Sequence, residues 1–165
     1  MGRFDVQNKA FKNAIQGAKK HKFNAKRNVI VKNQLYEVDG NYFKVIDGVL
    51  YNKAGAEIGP VTISFDSRKE ANHYYFLLKD PDVQQVDLQP RFELQPMFKK
   101  NGVTYRSIVY VADFKVFYKN GKIKIVDTKG METREWIMKQ KMFEYKYPDL
   151  TLEVIWKITE MKLWQ

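Results

Sequence analysis

The chain has 165 residues, 44% hydrophobic and 15% aromatic, so it can bury the core of one domain and is too apolar for a disordered protein. No apolar run approaches the roughly 18 to 20 residues of a membrane span, which excludes an integral membrane protein with helical spans. The absence of Cys excludes disulfide scaffolds, thiol nucleophiles and Cys-zinc sites, and the two His residues argue against a multi-His metal centre.

The positive charge is concentrated near the N-terminus. The formal net charge is +10, which indicates a polyanionic partner, most simply nucleic acid. Residues 1–32 carry nine basic residues and one acid, a net of +8, and the other 133 residues carry a net of only +2. We predict that residues 1–32 form a basic arm; the alternative is a solvated tail or an exposed helix with no specific role. The predicted phosphate contacts of the arm are Lys19, Lys20, Lys22, Lys26 and Arg27.

A β-meander and a helix are predicted next. Residues 33–63 contain short β-prone runs separated by Asp-Gly turns, which predicts an antiparallel meander inserted after the arm. Ser67 and Glu70 then fit the capping box of a helix start. An apolar stripe follows at helical spacing, and Asp80-Pro81 ends the helix.

Three β-like runs follow the helix, at residues 83–97, 105–118 and 123–129. Pro90 and Pro96 limit the first run to edge or broken strand character. Residues 132–145 are predicted to be helical, and residues 151–156 to form a last strand. Residues 64–165 are therefore predicted to form an α/β (α+β) core of order α-β-β-β-α-β. Its mixed sheet would be flanked by helices, within one compact domain.

Acidic residues interrupt the second and third of these runs. Asp113 lies in an apolar segment, and a carboxylate in a core strand costs several kcal/mol unless it is paired or holds a metal. Asp127 and Lys129 are two residues apart and share a face of their strand, and a neighbouring strand can bring Asp113 beside them. Clustered carboxylates suit Mg²⁺, and an adjacent ammonium can position or deprotonate an attacking water.

Each of these residues also has a structural interpretation. Glu70 can be simply the acid of the capping box, worth roughly 1 kcal/mol to the helix. Asp113 can be a solvated residue at a strand end. Asp127 and Lys129 can form a surface ion pair worth at most about 1 kcal/mol.

The arrangement resembles the PD-(D/E)xK nuclease superfamily, whose signature is an acid, a variable hairpin and then D/E-x-K on the next strand. Asp113 matches the first acid, Asp127 the second, Lys129 the lysine and Glu70 a further acid on the preceding helix. Ala112 stands where the superfamily has its name-giving Pro. The α-β-β-β-α-β order agrees with the core of that superfamily.

A wider resemblance covers residue 65 to about residue 155. The ordered blocks FDSRKEA, DLQPRFELQP, YVADF and VDTKG are similar to a family of small phage and prophage proteins, an uncharacterised-domain group described as Holliday-junction-resolvase-like. The resemblance implies a Mg²⁺-dependent DNA endonuclease, with Mn²⁺ as a substitute, that acts on branched DNA in the cytoplasm of a bacterial host. It implies Glu70, Asp113 and Asp127 as metal ligands, Lys129 as the residue that positions water, and a homodimer.

Four further DNA contacts are predicted with the resemblance. Gln89 and Arg91 would orient the site or touch phosphate, although an edge strand with polar outward faces explains them equally well. Thr133 and Lys139 match family positions near and on the second helix, although Lys139 can instead pair with Glu135. Two other functions stay open, a noncatalytic nucleic-acid-binding module and a phage structural protein.

Overall fold

A computed structural model describes residues 27–156 of the chain. Over this range the protein is a mixed α+β structure with many short strands and two helices, which confirms the predicted mixture of elements. Neither of these two helices is long and apolar enough to cross a membrane. The predicted DNA contacts Lys19, Lys20, Lys22 and Lys26 lie outside the described residues.

Two small antiparallel sheets form the N-terminal part of the described structure. Their strands are β1 Arg27–Val31, β2 Gln34–Val38, β3 Phe43–Ile46, β4 Val49–Asn52, β5 Glu57–Pro60 and β6 Ile63–Phe65. The strand orders are β2-β1-β6 and β3-β4-β5. Of the two Asp-Gly hairpins expected over residues 33–63, the one at Asp47-Gly48 is present and joins β3 to β4. Asp39-Gly40 closes no hairpin, because β2 pairs with β1 and lies in a different sheet from β3.

Strand β1 lies inside the stretch that we predicted as a basic arm. It is the central strand of its sheet, and Asn28, Val29, Ile30 and Val31 are buried. Ile30 packs into the core under the first helix, whereas Val29 and Val31 pack with Leu50 on the other side. The predicted boundary of the basic arm at residue 32 was therefore wrong for residues 27–31. These residues form a strand because three consecutive side chains are β-branched and pack on both faces of the sheet. Arg27 begins this strand.

The first helix, α1 Arg68–Lys79, begins and ends as predicted. The Ser67 side chain accepts a hydrogen bond of 3.4 Å from the backbone N–H of Glu70, and Asp80 caps the other end. Ala71, Tyr74 and Leu77 are buried on one face of the helix. This face packs on the main sheet, so the N-terminal turn with Glu70 is held against that sheet.

The elements after α1 are β7 Val83–Leu88, β8 Arg91–Gln95, β9 Phe98–Lys100, β10 Val103–Tyr105, β11 Ile108–Val111, β12 Phe114–Tyr118, β13 Ile123–Thr128, α2 Arg134–Lys146 and β14 Thr151–Ile155. The main sheet has four of these strands in the order β14-β13-β12-β7. Strands β13 and β14 are parallel and the other neighbours are antiparallel. Helix α1 covers one face through a cluster with Phe114 and Val126, and α2 covers the other through a cluster with Ile125 and Phe143.

Two of the three runs predicted as strands are each broken in the middle. Strand β7 pairs with β12, and β8 pairs with β11, so the same two chain segments form two successive ladders. The break falls at Gln89-Pro90 on one segment and at Ala112-Asp113 on the other. Pro90 has no N–H and Gln89 has φ of +49°, so the first segment cannot continue as one strand. The backbone N–H of Gln89 donates to the carbonyl of Asp113 at 2.9 Å across the break.

Candidate active site

The predicted site residues come from three neighbouring elements. Asp113 lies at the break between β11 and β12, Asp127 lies in β13, and Lys129 directly follows β13. The backbone N–H of Asp113 donates to the carbonyl of Val126 at 3.1 Å, which sets Asp113 beside the end of β13. Glu70, in the first turn of α1, lies near enough for the charges of Asp113 and Asp127 to affect its pKa. Asp113 is therefore half-buried at a bend, not inside a strand as we predicted.

Asp127 is a fully buried carboxylate with two charged or polar neighbours. Its exposed fraction is 0%, and the Tyr110 hydroxyl donates a hydrogen bond of 2.5 Å to Oδ2. Lys129 Nζ lies 2.9 Å from Oδ1. Despite this ion pair, Oδ1 accepts no hydrogen bond of ordinary geometry from residues 27–156. Burial and the bond to Asp127 raise the pKa of Tyr110 above its usual range, so its hydroxyl remains a donor.

Asp113 is held by the residue that follows Asp127. Its Oδ2 accepts hydrogen bonds from the backbone N–H of Thr128 at 2.6 Å and from the Thr128 hydroxyl at 2.7 Å. Burial raises the pKa of Asp113, the two bonds from Thr128 lower it, the charge of Asp127 raises it, and the charge of Lys129 lowers it. Thr128 thus fixes one oxygen of Asp113 and leaves the other without a hydrogen bond within residues 27–156.

Glu70 adds a third acid to the cluster. Its pKa is raised to about 7, first by burial and then by the negative charges of Asp113 and Asp66, while a hydrogen bond with Ser67 lowers it and Asp127 raises it. Three acids near one lysine leave an excess of negative charge when all are ionised. Such a cluster favours a bound cation or a shared proton. Within residues 27–156, however, no group of three or more acidic or histidine side chains is placed to hold a metal ion.

The backbone of Lys129 is anchored from both α1 and β14. Lys69 Nζ donates to the carbonyl of Lys129 at 2.8 Å and to the carbonyl of Trp156 at 2.9 Å. The backbone N–H of Lys129 donates to the carbonyl of Ile155 at 2.9 Å. The chain is therefore fixed at the point where the Lys129 side chain leaves it, although β13 has already ended.

The remaining predicted DNA contacts lie on several elements. Gln89 and Arg91 are exposed and flank the break beside Asp113. Thr133 caps α2, since its hydroxyl accepts from the Trp136 N–H at 3.2 Å. Lys139 forms the i, i+4 pair with Glu135 at 2.8 Å that we considered as its alternative role.

Sequence reasoning missed three residues that hold the site. Tyr110 counted only as an apolar neighbour of Asp113, Thr128 only as the variable residue between Asp127 and Lys129, and Lys69 had no role. A hydroxyl three residues before Asp113 and another directly after Asp127 were usable signals for the first two. Lys69 carried no signal, because its contacts join segments 60 and 87 residues away along the chain.

Comparisons with known proteins place most of the chain in one family. Residues 51–163 match the family described as "Protein of unknown function (DUF1064)". No curated protein and no solved structure matches the chain. The match starts before α1, so the shared region includes the last strands of the N-terminal sheets and the whole candidate site.

Proposed function

We propose that this chain, which belongs to the DUF1064 family, is a metal-dependent DNA endonuclease with a PD-(D/E)xK-type active site. One observation carries the proposal: Asp127 is fully buried, with one oxygen bonded to Tyr110 and the other facing Lys129 at 2.9 Å. Burying a carboxylate beside a second acid, Asp113, is costly because both acids lose hydration. An ion pair that only stabilises the fold does not require this arrangement. Buried acids that interact with each other and with a nearby lysine are concentrated at active sites.

The arrangement of the elements supports the same proposal. Taken in chain order, α1, β7, β12, β13, α2 and β14 follow the order α-β-β-β-α-β. The four strands lie in one sheet with a helix on each face. This order is the one expected from the resemblance to PD-(D/E)xK nucleases. Fold order alone does not establish an activity; the activity would come from the side chains of the site.

The donor set fits a hard divalent cation. Asp127 Oδ1 has no hydrogen bond of ordinary geometry in the described range, and Asp113 offers its second oxygen. Carboxylate oxygens of this kind suit Mg²⁺, which keeps several waters and needs only one or two protein carboxylates. Asp113 and Asp127 would hold the ion, with Glu70 as a direct or water-mediated third ligand. When bound, Mg²⁺, or Mn²⁺ in its place, supplies positive charge against the charge that develops on the phosphate.

The protein's own groups then act on water and on the phosphodiester. The Lys129 side chain is 28% exposed, so its ammonium can meet solvent as well as Asp127. It would donate a hydrogen bond to the attacking water and hold its oxygen toward phosphorus. The new bond joins this oxygen to phosphorus and one ester P–O bond breaks. The proton of the attacking water passes to a solvent base, and the leaving ester oxygen takes up a proton from solvent to become a hydroxyl. Tyr110 and Thr128 hold the two acids in place during this step.

The preferred substrate we propose is branched DNA such as a Holliday junction, during phage DNA metabolism in a bacterial cytoplasm. This part depends on the family resemblance. A two-fold junction that is cut on two strands calls for two copies of the active site, so we propose a homodimer on DNA.

A cleavage assay tests the activity. The wild type, Asp113→Asn, Asp127→Asn and Lys129→Met are incubated with a four-way junction, a duplex and a single strand in Mg²⁺ or Mn²⁺. We expect the three variants to lose at least about 100-fold in rate. Glu57→Gln, at an exposed acid on β5, should cut as the wild type does.

Two outcomes would overturn the proposal. If the wild type binds DNA and cuts none of the three substrates with either metal, the protein is a noncatalytic binding module. If the three variants cut as fast as the wild type, the observed nuclease does not use this site. Circular dichroism of each variant separates a lost activity from a lost fold.

A further inference from the structure

The β9–β10 hairpin is a basic, aromatic projection of the fold. The two-residue turn Asn101-Gly102 joins its strands, with φ of +51° and +77°, as a type I′ turn requires. All residues of both strands are exposed. Residues 96–107 contain three cations and no acid. The cations are Lys99, Lys100 and Arg106.

One face of this hairpin carries a stacked pair of rings. Phe98 and Tyr105 are cross-strand partners, and their rings stack with centroids 4.7 Å apart at an interplanar angle of 5°. The exposed fractions of Phe98 and Tyr105 are 41% and 44%. Because residues two apart share a face, Lys100 projects on the same side as this pair, and Lys99 projects on the other.

A stable hairpin does not need this composition on its surface. Exposed aromatic rings next to cations would promote association, and natural surfaces usually limit such patches. Rings that accept a base, together with ammonium groups that meet phosphates, are the two parts of a single-strand binding surface. A second copy of this chain is a poor occupant of the same surface, since two hairpins would bring six cations together without an acid.

The hairpin is connected directly to the candidate site. Strands β8 and β11 lead from the break at Asp113 to the base of the hairpin. Eight residues separate Asp113 from Tyr105, so at about 3.3 Å per residue the hairpin starts within about 26 Å of the site. At about 3.4 Å per nucleotide step, this reach is about eight nucleotides from a phosphate bound at Asp113.

We infer that the β9–β10 hairpin binds the DNA flanking the cleaved phosphate. Its cations contact the backbone, and its stacked rings contact bases exposed where strands separate. The inference rests on the proposed function, because that proposal supplies DNA as the ligand. It adds that the β9–β10 hairpin provides the preference for unpaired or branched DNA.

Binding measurements on the full chain test this inference. Fluorescence anisotropy is measured in an Asp127→Asn background with a duplex, a single strand and a four-way junction, from about 50 to 200 mM salt. Lys99→Ala/Lys100→Ala should reduce the salt slope by about 1.8 on the duplex and by about 1.4 on the single strand, the values expected when two phosphates are no longer neutralised. Phe98→Ala/Tyr105→Ala should leave the slope unchanged and weaken binding to the single strand and junction by roughly tenfold. Binding to the duplex should change less.

Matched variants control for folding and for charge. Phe98→Leu/Tyr105→Leu keeps apolar side chains that can hold the hairpin, and it should lose as much single-strand affinity as the Ala pair. Lys44→Ala/Lys53→Ala removes two exposed lysines from the β3–β4 hairpin region and should retain the parent's slope.

Three DNA-binding results would overturn the inference. They are hairpin variants that bind as the parent does at every salt, a Leu pair with parental affinity, and a parent that binds none of the three DNAs. A parent dimer that dissociates in Phe98→Ala/Tyr105→Ala with unchanged DNA binding would also overturn it, in favour of a second copy on this surface. Cleavage is assayed separately with Asp127 unchanged. If binding depends on the hairpin but no DNA is cut, the endonuclease proposal is contradicted and the inference about the hairpin stands.

Discussion

The Tyr110 hydroxyl donates its hydrogen bond to Oδ2 of Asp127, a carboxylate with no exposed surface. Tyr110 lies on β11 and Asp127 on β13, so the bond joins the ladder beyond the break to the main sheet. The hydroxyl offsets part of the cost of burying the acid and directs its other oxygen toward Lys129.

Tyr110→Phe should therefore weaken both the fold and the site. Removing a hydrogen bond to a buried charge costs about 1.5 to 3 kcal/mol of unfolding free energy, which urea denaturation measures. In the endonuclease proposal, removal of this outer hydrogen bond should also reduce Mn²⁺ affinity by about 10- to 100-fold.

Tyr147, a half-buried tyrosine whose hydroxyl bonds at the surface, provides the control for Tyr110→Phe. The Tyr147 hydroxyl donates to the carbonyl of Glu93 at 3.0 Å in an exposed position. Tyr147→Phe should change the unfolding free energy by less than about 1 kcal/mol and leave Mn²⁺ binding unchanged. Equal effects of the two variants would show that Tyr110 has no special role at Asp127.

The local part of the site could be predicted from the sequence, and the part that depends on strand pairing could not. Asp127 and Lys129 are two residues apart, so a strand places them on one side without further information, and they pair at 2.9 Å. Tyr110 reaches Asp127 only because β11 leaves the main sheet at Asp113. That break is imposed by Pro90 on the partner segment, a constraint that residues 105–118 do not carry themselves.

The same distinction explains the fold. The cap at Ser67 and the end at Asp80 are local signals, and both were predicted. Strand β1 was missed because the basic residues before it dominated the composition of residues 1–32. Its three β-branched residues are buried by two different clusters, and neither cluster can be deduced without the sheet order.

Lys129→Met should destabilise the protein more than an exposed lysine substitution does. It leaves the buried Asp127 carboxylate without its cation, which costs about 3 kcal/mol. The double variant Asp127→Asn/Lys129→Met removes both charges and should recover much of that loss in a denaturation cycle. Lys139→Met, which breaks the exposed pair with Glu135, should cost less than about 0.5 kcal/mol. Additive losses in the cycle would mean that the two charges do not interact.

The basic N-terminal stretch should be tested by deleting residues 1–26, which keeps β1 intact. This stretch has seven basic residues and one acid. If it binds DNA, the deletion should reduce the salt slope of duplex binding by about 0.9 for each phosphate that the stretch neutralises in the full chain. Reversing its charges in a full-length variant, with Lys19→Glu and Lys20→Glu, should change the slope in the same direction. A slope equal to that of the full chain would remove this stretch from the interface.

His73 should make stability depend on pH between about 4 and 6.5. The side chain is 8% exposed and packs on Phe114 at 5.6 Å between ring centroids. Burial lowers its pKa from 6.5 to about 4, with opposing charges from Glu153 and Lys124. In this window the unfolded chain binds more protons, so the unfolding free energy should fall by about 3 kcal/mol as pH falls from 6.5 to 4.

A variant isolates the contribution of His73 from that of other groups. His73→Phe keeps an aromatic ring beside Phe114 and removes the titration. The difference in unfolding free energy between the two proteins should therefore change across the window and level off above pH about 6.5. A constant difference from acid to neutral pH would show that the buried imidazole titrates as it does in the unfolded chain.

Glu70 should give the opposite pH dependence, and a divalent cation should reverse it. Because its pKa is raised from 4.5 to about 7, the folded protein binds more protons than the unfolded chain between these values. Without metal, the contribution of Glu70 to the unfolding free energy should fall as pH rises through this window, and Glu70→Gln should remove that fall. A cation held by ionised acids binds only the folded state, so Mg²⁺ should raise the melting temperature of the wild type at pH 8 more than at pH 5. The same rise at both pH values, or none at pH 8, would contradict a metal site at Glu70, Asp113 and Asp127.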